Sequence, residues 1–163
     1  MMYINTKLLV SLSENQLLEC DTDPFQQACG GGNFFYSFKY AATRSIATEK
    51  DDPYRYSSNV NKGVCRVGTG GLEGYIQNSN SVGTNGVITI PSTEEDLKHW
   101  VSKQPVAVAI NGYTSDFKNY KEGVLDTPTC TSTVDHAVLV VGYGTTLEGI
   151  DFWLVKNSWG PGW

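Results

Sequence analysis

The chain has 163 residues, with 12 Lys+Arg against 17 Asp+Glu and a formal net charge of −5. That length suits one domain or two small lobes, and 40% hydrophobic, 12% aromatic and 18% charged residues make an ordinary globular composition. The acidic balance argues against a nucleic-acid partner, since no basic excess neutralises phosphates, and no apolar run approaches the roughly 18 residues of a membrane span.

Met1–Gln16 lacks the basic region, long apolar stretch and small-residue cleavage site of a secretory signal, so no address is expected there. Ser11 or Ser13 is expected to cap a short helix over Glu14–Cys20, because Ser11-x-x-Glu14 has capping-box form. A polar loop, Asp21–Ala28, and a glycine triplet, Gly30–Gly32, follow. Phe34–Ile46 is apolar and aromatic without Pro or Gly and predicts a second helix. Thr48–Gly71 turns polar and reads as loop with scraps of strand, the acidic run Glu49–Asp52 being a solvated loop.

Gly86–Ile90 predicts a short strand. Pro91-Ser92 then opens a helix to about Ser102, with Ser92-x-x-Glu95 as a capping box and acidic residues in its first turn. It must stop before Pro105. Val106–Ile110, His136–Tyr143 and Phe152–Lys156 are rich in Val, Ile, Leu and aromatics and predict strands. A helical, loop-rich lobe (1–74) therefore precedes a β-rich lobe (75–163), with the boundary near Gly71–Tyr75.

The four cysteines, Cys20, Cys29, Cys65 and Cys130, include no C-x-x-C pair, so a zinc site is not expected. Their even count fits disulfides in an oxidising compartment, with buried free thiols in a cytosolic core as the alternative. His136 opens an apolar strand, where an imidazole can hold a fixed tautomer. Asn157 follows it by 21 residues, at the end of the last strand. Two antiparallel strands joined by the Thr145–Asp151 loop would bring both side chains to one sheet end. An Asn there can accept a hydrogen bond from the imidazole and orient it, and Trp159 can roof that bond. The glycine triplet can let a ligand approach the backbone closely, but no Lys-Ser/Thr follows it, so a phosphate loop is not expected. His99 reads as a surface residue, and no G-x-S-x-G elbow supports a serine hydrolase.

Six segments together resemble the papain-like cysteine proteases: Leu9–Asp21 (LVSLSENQLLECD), Cys29–Gly32 (CGGG), Asp52–Tyr56 (DPYRY), Gln104–Ile110 (QPVAVAI), Val134–Gly144 (VDHAVLVVGYG) and Trp153–Trp163 (WLVKNSWGPGW). They run in family order along essentially the whole chain. The resemblance implies an α+β, papain-like two-lobe fold, a helical lobe facing a β-rich, barrel-like lobe with the substrate between them. It implies a Cys thiolate that attacks the scissile carbonyl to form a thioester. His136 is then the base and later the acid, Asn157 holds its ring, and Trp159 covers that contact. Gly31 and Gly32 match the family's glycine pair, with Gly32 on the backbone of the substrate residue second before the cut. Phe34, Ala109 and Ala137 match the pocket for that residue's side chain. The Asp135 carbonyl matches a contact to the residue just before the cut.

The resemblance also pairs Cys20 with Cys65, a cross-link that would contribute roughly 4 kcal/mol on the loop-entropy account. It matches Cys29 and Cys130 to cysteines whose partners lie outside these residues, so both are expected unpaired. It brings no cofactor or metal. The partners it implies are a peptide or protein substrate and protein inhibitors or a pro-segment, in a lysosome, vacuole or secreted setting.

Two departures stand against it. The family's Q-G-x-C-G-S-C-W-like nucleophile segment has no match, so the chain is expected to be cut short at both ends and inactive alone. Asp52 stands where the family usually has Tyr. The alternatives are a non-catalytic truncated paralogue, with a binding role or none, and a fragment that complements a separate chain carrying the Cys. Losing a central helix removes on the order of 8–15 kcal/mol of burial. Whole domains are stable by about 5–15 kcal/mol, so a partly folded chain is expected.

Overall fold

The structure, a computed structural model, describes residues 7–55, 64–66, 87 and 89–163, and these divide into two units between Thr89 and Ile90. The expected boundary near Gly71–Tyr75 lies outside the described residues.

In the N-terminal unit, helix α1 spans Glu14–Cys20 and is capped by Ser13, whose Oγ accepts from the Gln16 N–H at 3.0 Å. Ser11 is not the cap because its backbone is engaged elsewhere: its carbonyl accepts from the Glu49 N–H at 2.9 Å, beside an antiparallel bridge of Leu12 with Thr48. Helix α2 spans Phe34–Thr43, capped by Asn33. It ends before the predicted Ile46 because Arg44 is extended and Ala47 is drawn toward α1. The Ala47 carbonyl accepts from Ser13 N–H at 2.9 Å, and its N–H donates to Gln16 Oε1 at 2.7 Å. A single 3₁₀ turn, Ala28–Gly30, lies between the helices. Cys20 and Cys65 form a disulfide with Cα atoms 4.7 Å apart.

The buried face of α1 is polar: Asn15, Gln16 and Glu19 are buried along with Cys20. Each buried polar group needs a partner, because burial without one costs roughly 1–3 kcal/mol. Gln16 Nε2 donates to the Ser45 carbonyl at 2.8 Å and to Tyr40 Oη at 3.2 Å. Asp52 supplies partners for Ser13 and Asn15 Nδ2, while Asn15 Oδ1 has none among the described residues; only 6% exposed, Asp52 corrects the reading of Glu49–Asp52 as a solvated loop. Its carboxylate accepts from Ser13 Oγ at 3.0 Å and Asn15 Nδ2 at 3.1 Å, and pairs with Arg55 at 2.8 Å. Arg55 also reaches Glu19 at 3.1 Å.

In the C-terminal unit, helix α3 spans Glu94–Val101. Its cap is Thr93, one residue beyond the predicted Ser92, with Thr93 Oγ1 accepting from the Asp96 N–H at 3.1 Å. The predicted strand Gly86–Ile90 is not seen at Val87, Thr89 or Ile90, which are irregular; Gly86 and Ile88 lie outside the described residues. Ile90 instead packs its side chain on the core just before Pro91.

Strands β1 (Val106–Ile110), β2 (His136–Thr145) and β3 (Asp151–Lys156) form an antiparallel sheet in the order β1-β2-β3. A short helix α4, Ser115–Lys118, follows β1. Val101 of α3, Val106 of β1 and Val140 of β2 make the buried centre, flanked by Leu97, Trp100, Val108, Trp153 and Val155. Alternation along β2 puts Val138 and Val140 inward. Among the described residues no helix is long and apolar enough to cross a membrane.

Candidate active site

Strands β2 and β3 are joined by a turn closed by Thr146 N–H donating to the Ile150 carbonyl at 2.9 Å. The hairpin carries its first residue, His136, and the residue just past its end, Asn157, to the same edge. The register shifts at Val141, between the pairs Val140↔Val155 and Gly142↔Leu154. His136 Nε2 then lies 2.8 Å from Asn157 Oδ1, and both residues are half-buried.

The neighbouring backbone decides the proton on the ring. Asn157 Oδ1 also accepts from the Ser158 N–H at 2.8 Å. An N–H donates only to the oxygen of an amide, so the atom facing the imidazole is an acceptor. His136 Nε2 therefore carries its hydrogen and donates to Asn157, which leaves Nδ1 as the ring nitrogen not bound to the amide.

Aromatic rings surround this pair. Trp159 lies over the imidazole with centroids 4.8 Å apart and planes 34° apart, itself 42% exposed. Phe117 of α4 meets His136 edge-on at 6.0 Å and Trp159 at 5.5 Å. Trp163 stacks near Phe117 at 5.0 Å and donates its indole N–H to the Phe117 carbonyl at 3.2 Å. Such edge contacts fix ring orientation and keep water from the bond they cover.

Gly112 holds the other side of the imidazole stem. A Cβ at Gly112 would fall 2.6 Å from His136 Cβ, so no side chain fits. Its N–H donates to Asp135 Oδ1 at 2.8 Å, and the Asp135 N–H donates to the Ile110 carbonyl at 3.0 Å. Gly112 and Phe117 were not among the residues expected from sequence. Their only signals were a glycine just past a strand and an aromatic three residues after the capping Thr114.

Ala109 and Ala137 sit opposite one another in the β1–β2 register, and both are exposed, as is Asp135. Gly31, Gly32 and Phe34 belong to the N-terminal unit. Gly31 has φ +116° and its carbonyl accepts from the Gln27 N–H at 2.9 Å. A Cβ at Gly32 would fall 2.1 Å from Gln26 Oε1, which holds the loop by accepting from the Asn33 N–H at 2.8 Å. Both glycines are exposed and Phe34 is half-buried. The two glycines rim an open depression with Phe25, Asn33 and Tyr36, which Phe34 does not line. Cys29 and Cys130 are exposed and outside any disulfide. His99 is on the surface of α3, its Nε2 2.7 Å from Lys103 Nζ. Among the described residues no three His, Cys, Asp or Glu side chains are grouped to hold a metal.

The chain matches the papain family of cysteine proteases over residues 1–163. Vignain of Ricinus communis is 43% identical over 162 residues, covering 98% of this chain and 41% of that protein. Germination-specific cysteine protease 1 of Arabidopsis thaliana is 39% identical over 163 residues, covering 98% of this chain and 39% of that protein. The Carica candamarcensis cysteine protease CMS1MS2, solved in complex with E-64, superposes with a TM-score of 0.76 at 33% identity, over 99% of this chain and 67% of that one. The bromelain protease of Ananas comosus, also solved with E-64, gives 0.71 at 32% identity, over 98% and 67%. The chain spans about two-fifths of the length of the curated relatives it matches.

Proposed function

The chain belongs to the papain family of cysteine proteases, and from that premise we propose that it supplies the imidazole half of a cysteine endopeptidase site. The observation that supports this reading is the His136–Asn157 bond beneath Trp159, with Nδ1 left for chemistry. A Cys thiol, which none of the chain's own four cysteines matches, gives its proton to His136 Nδ1. The thiolate sulfur attacks the scissile carbonyl carbon. As the C–N bond breaks, Nδ1–H protonates the departing amine and a thioester remains. Water, losing its proton to Nδ1, then attacks the thioester, and the acid leaves as the thiol is restored. Throughout, Asn157 keeps the ring aimed, and Trp159 and Phe117 keep that bond dry.

Gly32 is assigned to the backbone of the substrate residue second before the cut, and Phe34, Ala109 and Ala137 to its side chain, which favours an apolar one. The Asp135 carbonyl is assigned to the residue just before the cut, with Gly31 shaping the loop that presents Gly32. The reaction uses no cofactor. Peptides or proteins are the substrates, and protein inhibitors or a pro-segment the further partners. A lysosomal, vacuolar or secreted setting agrees with the Cys20–Cys65 disulfide. Residues 1–74 and 75–163 are assigned as the two lobes.

A second reading is a non-catalytic relative, kept for binding or not at all. The 5′ end of the transcript, read with the DNA upstream of Met1, separates them. A reading frame continuing into a Q-G-x-C-G-S-C-W-like segment supports the peptidase. A message without such a segment supports the non-catalytic relative.

A further inference from the structure

We propose that Lys118 and Tyr113 form a subsite that selects an acidic side chain on the first substrate residue after the cut; this rests on the peptidase reading above. Along β1, Ala109 is level with Ala137 and Ile110 is level with His136. The chain then runs past the sheet end, packing Gly112 against His136 Cβ before Tyr113 begins the approach to α4. Phe117 of α4 lies edge-on to the same imidazole. His136 thus stands between two surfaces along the strand direction, Ala109 with Ala137 on one side and Tyr113–Lys118 on the other. The peptidase reading gives the first surface to the acyl half of the substrate. The amine half, which takes its proton from His136, then passes over the second.

That second surface carries an available cation. Lys118 Nζ lies 3.7 Å from the centroid of the Tyr113 ring, closer than any other lysine–ring approach among the described residues. Both residues are exposed, Tyr113 by 75%. No carboxylate of the described residues lies within ion-pair distance of Lys118. The nearby acids keep their charge but bond to other groups and form no ion pair with Lys118. Asp116 accepts from the Thr127 hydroxyl and, at 2.9 Å, from Thr129 Oγ1. Asp135 accepts from the Gly112 N–H. A ring contact restrains the long lysine stem, so less freedom is lost when a carboxylate joins it. The ring also offers a flat apolar floor for the methylenes of a Glu.

An exposed ion pair is weak, so the expected preference is about two- to five-fold in kcat/KM. The test uses the product of the whole gene and internally quenched peptides that differ only after the cut, with Glu, Gln or Lys there. Glu should be cleaved about two- to five-fold faster than Gln, the preference should shrink with added salt, and Lys118→Ala should bring the ratio to about one. Lys118→Glu should reverse it in favour of Lys. A Glu-to-Gln ratio of one in the parent, or one unchanged in Lys118→Ala, overturns the subsite while leaving the peptidase intact. Absence of hydrolysis from every peptide counts against the peptidase reading instead. The subsite is then judged by NMR titration of the same protein with an amine-side peptide beginning with Glu. Shifts centred on Tyr113 and Lys118 that the Gln peptide does not produce support it, and no such shifts overturn it.

Discussion

The His136 ring is aimed by Asn157 from one end and confined at its stem by a glycine 24 positions earlier in the chain. That glycine makes a sharp prediction. In Gly112→Ala the new methyl would meet His136 Cβ at 2.6 Å, with backbone on one side and a strand residue on the other. One of them must move, and a shift of that size in a reacting group costs on the order of 10²-fold. Peptide hydrolysis by Gly112→Ala is therefore expected to fall by about that factor in kcat, while Gly162→Ala, where no atom lies near and φ is not positive, is expected to lose far less. Asn157→Ala frees the ring to turn and is expected to lower kcat by a similar order, about 10²-fold. A kinetic comparison of the three variants checks all of this. The meeting of His136 with Asn157 was legible because a histidine opening one strand and an asparagine ending the next imply a shared sheet end. Gly112 was not, because its constraint is a through-space clash that no local pattern encodes.

Among the elements, the caps were legible to within one residue, and tertiary contacts chose between the two serines offered for α1. Ser11 has the right chemistry for a cap but its backbone is held in a bridge, so Ser13 takes the role. At α3 the cap is Thr93 in place of Ser92, its Oγ1 accepting from the Asp96 N–H. Losing a cap hydroxyl costs about 1 kcal/mol, so Thr93→Ala should lower stability by roughly that amount, as read by denaturant unfolding of the whole gene product.

Helix α1 was legible as a helix, but its burial was not. An apolar residue is expected inside, yet α1 buries Asn15, Gln16 and Glu19, because each finds a partner on a segment distant in sequence. Asp52 closes that network. Burial on its own pushes the Asp52 carboxyl up, but hydrogen bonds from Asn15, Ser13 and Arg55, with the Arg55 charge, outweigh it and hold the carboxyl below the usual range. A carboxyl lowered in the folded state stabilises that state at any pH above its unfolded value of about 3.9, and this contribution is lost as pH falls through the lower folded value. The Asp52 contribution is therefore intact at neutral and mildly acidic pH and fades only in strong acid. Asp52→Ala strands Ser13 and Asn15 and should cost on the order of 1–3 kcal/mol at pH 6. The difference from the parent should narrow toward pH 2–3, about where ordinary carboxylates are protonated. Denaturant curves at both pH values check the sign; a difference that grows in acid would contradict it.

For the whole molecule, the size of the core sets the expectation. Among the described residues the buried hydrophobic side chains are Cys20, Ile46 and Ala47 in the first unit and Val101, Val106, Val138 and Val140 in the second. Leu9 is 88% exposed, and Leu147 is fully so. Each well-buried aliphatic side chain contributes roughly 1.5–3 kcal/mol, while ordering each residue's backbone costs about 1–2 kcal/mol. So small a core predicts that the 163-residue chain alone melts broadly and binds an apolar dye. A single sharp transition, with equal calorimetric and van't Hoff enthalpies, would contradict that. The architecture itself was legible through the order of its motifs, with α1 and α2 ahead of the sheet and the β2–β3 hairpin last. What the pattern left open was which polar segments are buried, since that depends on partners rather than on periodicity.

We propose His136, held by Asn157, as the proton carrier of a thiol peptidase. The most direct measurement is hydrolysis of a fluorogenic peptide by the product of the whole gene, with and without a thiol-alkylating reagent, beside His136→Ala. Hydrolysis is expected to be abolished by alkylation and to fall by at least about 10²-fold in His136→Ala. Hydrolysis that survives His136→Ala at the parent's rate would contradict it.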